Sequence, residues 1–259
     1  MKIVFRTFLV LLLCLYFSVS VLGLDKGVSW YCVRNSCHKQ PELGKDLCFT
    51  TEYDLFWCDS RHGDMNSEEK VIYLTFDAGY ENGNIQKIVD VLREENVKAT
   101  FFILDNMIYK NEALVKQMID DGHLVANHTM KHKDMTKMDS IDKFAGELHS
   151  LESLYEETYG LKMGKYYRPP EGRISEENLK WAKELGYKTV MWSFAYADWD
   201  NEKQPSHEYA MKKILDNVHN GEVMLLHPTS STNAEIMKDL IVNLKDQGFK
   251  FKTVEELCS

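Results

Sequence analysis

From residue 71 onward, seven short apolar segments alternate with amphipathic ones, and this alternation limits the possible folds more than any other feature. The apolar segments are Val71–Phe76, Ala99–Leu104, His123–Ala126, Lys165–Arg168, Lys188–Phe194, Glu222–Leu226 and Phe249–Val254. Between them, apolar residues recur at helical spacing, for example Ile85, Ile88, Val89 and Leu92. The segments start roughly 20 to 45 residues apart, which is typical of βαβ units and a parallel sheet. We therefore predict an α/β barrel or a related closed sheet.

Glycine and hydroxyl residues mark the predicted ends of the helices. Four predicted helices are expected to end at a glycine that precedes the next strand: Gly122, Gly186, Gly221 and Gly248. The expected helix starts are Ser140, Ser175, Ser206 and either Thr232 or Asn233.

Chemically active side chains follow several of the predicted strands. They are Asp77, His128, His132, Arg168, Asp198 and His227. In a parallel barrel, active-site residues lie at the C-terminal ends of the strands, so we expect these groups to lie together on one rim of the barrel. Each also has a structural interpretation: a turn carboxylate, surface histidines, a rim ion pair or a core-edge histidine. His128 is not followed by Glu, which excludes the H-E-x-x-H metalloprotease helix.

The first residues resemble an export segment. Lys2 and Arg6 precede an apolar run over residues 7–24, and small residues follow near Gly23. We predict a signal peptide over residues 1–23, with an uncleaved membrane anchor through residues 7–24 as the alternative. The protein is then extracytoplasmic, in the cell wall or associated with the membrane.

Four cysteines cluster in the segment over residues 24–70, which we predict to be a cysteine-rich extension before the catalytic domain at residues 71–259. They are Cys32, Cys37, Cys48 and Cys58. In an exported protein this cluster suggests two disulfides with undetermined pairing. Zinc is the less favoured alternative, because the spacing lacks C-x-x-C pairs.

The charge balance excludes a general nucleic-acid binder. The chain has 31 Lys and Arg against 40 Asp and Glu, a formal net charge of −9. A protein that binds nucleic acid in general needs a basic face to displace counterions from phosphates.

Five ordered motifs resemble those of the polysaccharide deacetylase family, also called the NodB-homology or carbohydrate esterase 4 family. They are Thr75-Phe76-Asp77-Ala78-Gly79, His128-Thr129-Met130-Lys131-His132, Arg168-Pro169-Pro170-Glu171-Gly172, Asp198-Trp199 and Leu225-Leu226-His227-Pro228. The resemblance extends from Val71 to Leu257 and implies a distorted (β/α) barrel of about seven strands.

The resemblance also implies catalytic roles. Asp77 would be the general base, Arg168 its ion-pair partner, His227 the general acid and Asp198 its support. Of the remaining residues, His128 and His132 match metal ligands. Amide hydrolysis needs an activated water, a stabilised oxyanion and a protonated amine, which such groups can supply.

One position departs from the family motif. The family has a second aspartate as the third metal ligand, and this chain has Ala78 there. We therefore expect a weakly held divalent ion, Zn²⁺ or similar. Glu81 is a less favoured substitute for the missing ligand.

The stretches around Asp77 and Asp198 most resemble a sporulation branch that deacetylates N-acetylmuramic acid on the route to muramic δ-lactam. That reaction implies peptidoglycan glycan strands as partner, after an amidase has removed the stem peptides. Arg173 is the candidate for the lactyl carboxylate, with Trp199 and Leu226 as further substrate contacts. Two alternatives remain: a deacetylase of N-acetylglucosamine or another acetylated polysaccharide, and a wall-glycan binding protein with impaired catalysis.

Overall fold

The computed structural model describes residues 27–259. The predicted signal peptide or anchor lies outside the described residues. Among the residues that are described, no helix is long and apolar enough to cross a membrane.

The elements follow the predicted alternation. The strands are β1 (Val28–Ser29), β2 (Cys32–Val33), β3 (Glu42–Leu43), β4 (Leu55–Phe56), β5 (Lys70–Ala78), β6 (Thr100–Ile103), β7 (Leu124–Asn127), β8 (Tyr166–Tyr167), β9 (Arg173–Ile174), β10 (Lys188–Val190), β11 (Glu222–Leu226) and β12 (Phe249–Lys252). The α-helices are α1 (Asn84–Glu94), α2 (Asp105–Asp120), α3 (Ile141–Tyr159), α4 (Glu176–Glu184), α5 (His207–Leu215), α6 (Ser231–Asp246) and α7 (Val254–Leu257).

A curled parallel sheet forms the centre of the molecule. Its strand order is β11-β5-β6-β7-β8-β10-β4, with β12 pairing β5 as well. β11 lies along one edge of β5, while β12 and β6 share the other edge, β12 at its start and β6 at its end. Two single bridges, Phe194–Met224 and Cys58–Glu222, connect the chain beyond β10 and β4 back to β11. The structure thus confirms the predicted α/β class and its barrel-like curvature.

All seven predicted strands form, and the sheet contains an eighth that was not predicted. β4 comes from the segment 24–70 and pairs with β10 in parallel. The amide of Thr189 donates to the carbonyl of Asp54, and the amide of Met191 donates to the carbonyl of Phe56. Part of the predicted extension is therefore built into the sheet, and the boundary at residue 71 stays a prediction.

The expectation of two disulfides is wrong for this structure. Within residues 27–259, Cys32, Cys37, Cys48, Cys58 and Cys258 are all free thiols. The Cys32 thiol donates to the carbonyl of Trp192, whereas the sulfur of Cys58 lies 3.9 Å from His219 Nε2. Cys37 and Cys48 are exposed. The first two sulfurs therefore face different neighbours and not each other.

The helix boundaries agree with the sequence except at one start and at one end, since α5 ends at Leu215, well before Gly221. The side chains of Ser140, Ser175 and Ser206 cap α3, α4 and α5 as predicted. Helix α6 is capped by Ser230, whose hydroxyl accepts from the amide of Asn233. Asn233 thus lies in the first turn of α6, and its side chain remains available to the site described next. The four predicted terminating glycines all have left-handed φ angles, between 75° and 88°.

Candidate active site

A cavity of about 640 Å³ opens at the C-terminal ends of the strands. Its lining includes Asp77, Tyr80, His128, His132, Glu171, Trp192, Tyr196, Trp199 and His227. The strand-end residues that the sequence singled out thus converge here, either in the wall or directly behind it.

Asp77, in the cavity wall, forms an ion pair with the buried Arg168 behind it. Asp77 is the next-to-last residue of β5, and its Oδ1 accepts a hydrogen bond of 2.8 Å from the Arg168 guanidinium. Arg168 has no exposed surface and also donates to the carbonyls of Val190 (3.0 Å) and Met191 (3.3 Å). Burial opposes ionisation of Asp77, but Arg168 and the nearby histidines outweigh it and lower the pKa of Asp77. The carboxylate is therefore held ionised and in a fixed orientation.

His128 and His132 lie side by side next to this pair. The Nδ1 of His128 is 2.9 Å from the carbonyl of Arg168, so it carries the hydrogen and leaves the Nε2 lone pair free. That Nε2 is 3.7 Å from Asp77 Oδ2, and the two imidazole rings are 5.0 Å apart. Burial lowers the pKa of His128 to about 4, so the ring is neutral at physiological pH. His132 has a left-handed backbone, with φ of 54°, and its amide donates to the hydroxyl of Thr129.

The two histidines are the only predicted metal ligands that lie together here among the described residues. A neutral imidazole whose other nitrogen is fixed by a carbonyl is the form that binds divalent ions. Position 78 offers only a buried methyl group, and the Glu81 carboxylate accepts from the amide of Gly83. Within residues 27–259, no cluster of three or more His, Cys, Asp or Glu is arranged to hold a metal. The described residues thus place two imidazole donors side by side, with no third ligand arranged beside them.

His227, in the cavity wall, forms a second pair with Asp198. Asp198 is buried; its Oδ1 is 2.7 Å from His227 Nδ1, and its Oδ2 accepts from the His227 amide at 2.9 Å. Asn233 supports the pair by donating to Asp198 Oδ2 at 2.6 Å. Burial opposes a charge on His227, but Asp198 outweighs it and raises the pKa of the imidazole. Since Nδ1 is occupied by Asp198, Nε2 is the nitrogen available to a substrate.

The predicted substrate contacts differ in their placement. Trp199 lines the cavity with 62% of its surface exposed, and its ring meets the His227 ring edge-on at 6.2 Å. Leu226 is fully buried, and its neighbour Leu225 lines the cavity, because successive side chains of β11 point to opposite faces. Arg173 is not part of the lining: its guanidinium donates to Asp134 at 3.0 Å and to the carbonyl of Gly27 at 2.9 Å.

Several residues of the site were not predicted from the sequence. Asn233 was a candidate helix start, Tyr80 and Trp192 were assigned no role in the site, and Tyr196 carried no distinguishing motif. Glu171, within the third motif, has a left-handed φ of 57°. This backbone conformation is strained for a residue with a side chain, and such strain is common at functional sites.

The known proteins that this chain resembles are polysaccharide deacetylases and carbohydrate esterases. A family model described as polysaccharide deacetylase matches residues 64–190. A Bacillus subtilis protein named peptidoglycan-N-acetylmuramic acid deacetylase PdaA is 40% identical over 235 residues, covering 90% of this chain and 86% of the relative. Its solved structure, described as a family 4 carbohydrate esterase, superimposes with a TM-score of 0.82 at 38% identity, covering 90% of this chain and 97% of that one. A Bacillus cereus protein named peptidoglycan-N-acetylglucosamine deacetylase is 34% identical, covering 75% of this chain and 91% of the relative.

Proposed function

This chain belongs to the polysaccharide deacetylase family, and on that premise we propose that it hydrolyses the acetamido group of N-acetylmuramic acid in peptidoglycan. The products are acetate and a free amine on the sugar. The observation that carries the proposal is the pairing of Asp77 with Arg168 and of His227 with Asp198 at one cavity. One pair holds a carboxylate ionised and the other favours a protonated imidazole, as an acid–base hydrolase requires.

In the proposed reaction, Asp77 accepts a proton from a water molecule. The oxygen of that water attacks the carbonyl carbon of the acetyl group. Arg168 keeps the carboxylate ionised and oriented through its 2.8 Å hydrogen bond. His227 then donates its Nε2 proton to the sugar nitrogen as the carbon–nitrogen bond breaks. Asp198 stabilises the imidazolium until that transfer, because it accepts from Nδ1. Acetate leaves with the oxygen from water, and the nitrogen leaves as an amine.

His128 and His132 would hold a divalent ion at this site, weakly because Ala78 supplies no third ligand. When bound, such an ion would supply positive charge that polarises the acetyl carbonyl. The Arg168 carbonyl orients His128 for this role through Nδ1.

We propose that the preferred substrate is glycan from which an amidase has removed the stem peptides. After deacetylation, the free amine lies near the lactyl carboxyl group of the same sugar. If no peptide occupies that carboxyl, the two can close a six-membered lactam with loss of water. Such a product would place the protein in the cell wall during sporulation, after export by the segment predicted over residues 1–23.

A second candidate substrate is N-acetylglucosamine. It is favoured by the Bacillus cereus relative and by the lack of Lys and Arg among the cavity-lining residues of the described chain. A neutral sugar needs no cation, whereas muramic acid carries a carboxylate.

Acetate release from defined glycans tests the proposal. We expect wild-type protein to release acetate from peptide-free muramyl glycan faster than from chitin oligomers. Asp77→Asn should lose activity by about 10²–10⁴-fold, the usual contribution of a general base. Asp121→Asn, which changes an aspartate paired with Arg93 outside the cavity lining, is the matched control and should retain activity. Wild type and Asp77→Asn both failing to act on any glycan while still binding it would favour a wall-glycan binding protein.

A further inference from the structure

A segment outside the five motifs is attached to the wall of the cavity. It comprises residues 27–34, which we call the strap, and it precedes the region that the polysaccharide deacetylase model matches. Strand β1, within the strap, pairs antiparallel with β9, which directly follows the third motif. At the start of β9, the Arg173 guanidinium donates to the carbonyl of Gly27 at 2.9 Å. The strap is thus fixed to the chain that leaves the third motif.

Trp30 connects the strap to two parts of the wall. Its amide donates to the carbonyl of Gly172 at 2.8 Å, and its indole Nε1 donates to the carbonyl of Trp192 at 2.8 Å. Gly172 and Trp192 both line the cavity, one in the third motif and the other beyond β10. A Cβ added at Gly172 would meet the Trp192 ring at 2.5 Å and the Cβ of Trp30 at 3.3 Å. One buried side chain therefore holds two wall segments against each other.

Two further strap residues donate to the same side of the cavity. The thiol of Cys32 donates to the carbonyl of Trp192 at 3.3 Å, and the guanidinium of Arg34 donates to the carbonyl of Ala195 at 2.7 Å. Ala195 also lines the cavity. Alternate side chains of the strap thus face the wall, as in any extended chain, and the side chains between them are exposed. Three lining residues are therefore held from one segment.

The groups that move protons in the proposed reaction are held by other partners. Asp77 is fixed by Arg168, and His227 is fixed by Asp198. Within residues 27–259, none of the strap's hydrogen bonds reaches these four side chains. The strap therefore determines the shape of the wall that surrounds the sugar and leaves the acid and the base to their own partners.

We propose that the strap is part of the glycan-binding site, with Trp30 and Arg34 as positioning residues that hold the wall in its binding shape. This role rests on the function proposed above and adds a determinant of substrate binding outside the five motifs. A wall that is already ordered binds its ligand without the free-energy cost of ordering loops. Releasing the wall should therefore weaken glycan binding and leave the chemical step nearly unchanged.

The experiment compares two double variants of the full-length protein that make the same substitutions. Trp30→Phe with Arg34→Met removes the indole and guanidinium donors and keeps most of the apolar bulk. Trp57→Phe with Arg93→Met is the matched control. Trp57 packs edge-on against Trp30 at 5.8 Å, Arg93 pairs with Asp121, and neither residue lines the cavity.

Two measurements separate binding from chemistry. Acetate release from peptide-free muramyl glycan gives KM and kcat, and calorimetry in an Asp77→Asn background gives the Kd of the same glycan without turnover. We expect the strap variant to raise KM and Kd by about tenfold, the scale of one lost hydrogen bond, with kcat within about twofold of wild type. The control should change each value by less than about twofold. Equal effects of the two double variants, or a fall in kcat at unchanged KM, would overturn the proposal.

Circular dichroism and urea unfolding check that both double variants fold. If the strap variant is unfolded, Arg34→Met alone decides the question, because Arg34 is exposed and its replacement leaves the core intact. This single variant should raise the Kd by about threefold relative to Arg93→Met. An unchanged Kd would overturn the proposal.

The binding measurement separates this proposal from the proposed function. Acetate release by wild type with an unchanged Kd in the strap variant would overturn the role of the strap and retain the deacetylase. A weakened Kd in the strap variant without acetate release by wild type from any glycan would retain the strap and overturn the deacetylase. Wild type that neither binds glycan nor releases acetate would overturn both.

Discussion

Replacing Arg168 with methionine tests whether one buried guanidinium maintains both the charge of Asp77 and the packing behind the cavity. The substitution leaves Asp77, whose side chain is 11% exposed, without its cation. Breaking a buried pair by removing one partner costs about 3–5 kcal/mol. The carbonyls of Val190 and Met191 also lose a donor, although water entering the site can satisfy them in part. We therefore expect a loss of about 4 kcal/mol in the free energy of unfolding, a large fraction of a typical total of about 5–15 kcal/mol.

Thermal and urea unfolding followed by circular dichroism measure this loss. For a chain of this size, each kcal/mol lowers the Tm by about 2–4 °C, so the expected shift is about 8–16 °C. Arg93→Met is the matched control, because Arg93 also lies 2.8 Å from an aspartate, Asp121, but is 54% exposed. Exposed pairs contribute about 0–1 kcal/mol, so this variant should shift the Tm by only a few degrees.

A double-mutant cycle with Asp77→Asn identifies the cause of the loss. Each single variant leaves one buried charge unpaired, and the double variant leaves none. The double variant of Arg168→Met and Asp77→Asn should therefore be more stable than the sum of the single losses implies, by about 1–3 kcal/mol. Losses that add to within about 0.5 kcal/mol would refute the electrostatic explanation and assign the effect to packing.

Other predictions concern the acid side of the site and the loop beside it. Asp198→Asn removes the charge that raises the pKa of His227, so the imidazole should lose its proton at lower pH. The alkaline limb of the kcat/KM–pH profile should therefore move to lower pH. A limb that stays in place would contradict the role of the pair. Gly172→Ala should destabilise the protein more than Gly248→Ala in urea unfolding. Both glycines have a left-handed φ, but an added Cβ meets the Trp192 ring at 2.5 Å only at Gly172, and equal losses would show that this contact relaxes freely.

Strong local patterns made most of the fold predictable. The run over β5 is apolar enough to be buried almost throughout, and such runs are typical of a strand covered on both faces of a parallel sheet. β4 was not predicted, because two residues inside a loop-rich segment carry no periodicity. Its place depends on backbone pairing with β10, which lies more than 130 residues later in the chain. Pairing over such a distance leaves no local signal.

The site was predictable where function follows strand ends and not where it depends on loop geometry. Asp77 lies at the C-terminal end of a buried strand and His227 directly follows another, so the rule for parallel barrels located them. Arg173 was predicted as the cation for a lactyl carboxylate, but the left-handed turn at Glu171 and Gly172 leads the chain into β9, where Arg173 pairs with Asp134. The contact of Asn233 with Asp198 was not predicted, because Asn233 lies on helix α6, 35 residues farther along the chain.

The opposite environments of Asp77 and His227 explain how one cavity can hold a base and an acid ready at the same pH. Burial disfavours the charged form of both groups, so burial alone would leave a neutral acid beside a neutral imidazole. Arg168 reverses this for Asp77, and Asp198 reverses it for His227. Asp77 is then ionised above its lowered pKa, while His227 is protonated below its raised pKa, and the two intervals overlap. Each buried partner therefore widens the pH range in which both groups are in the form that amide hydrolysis needs.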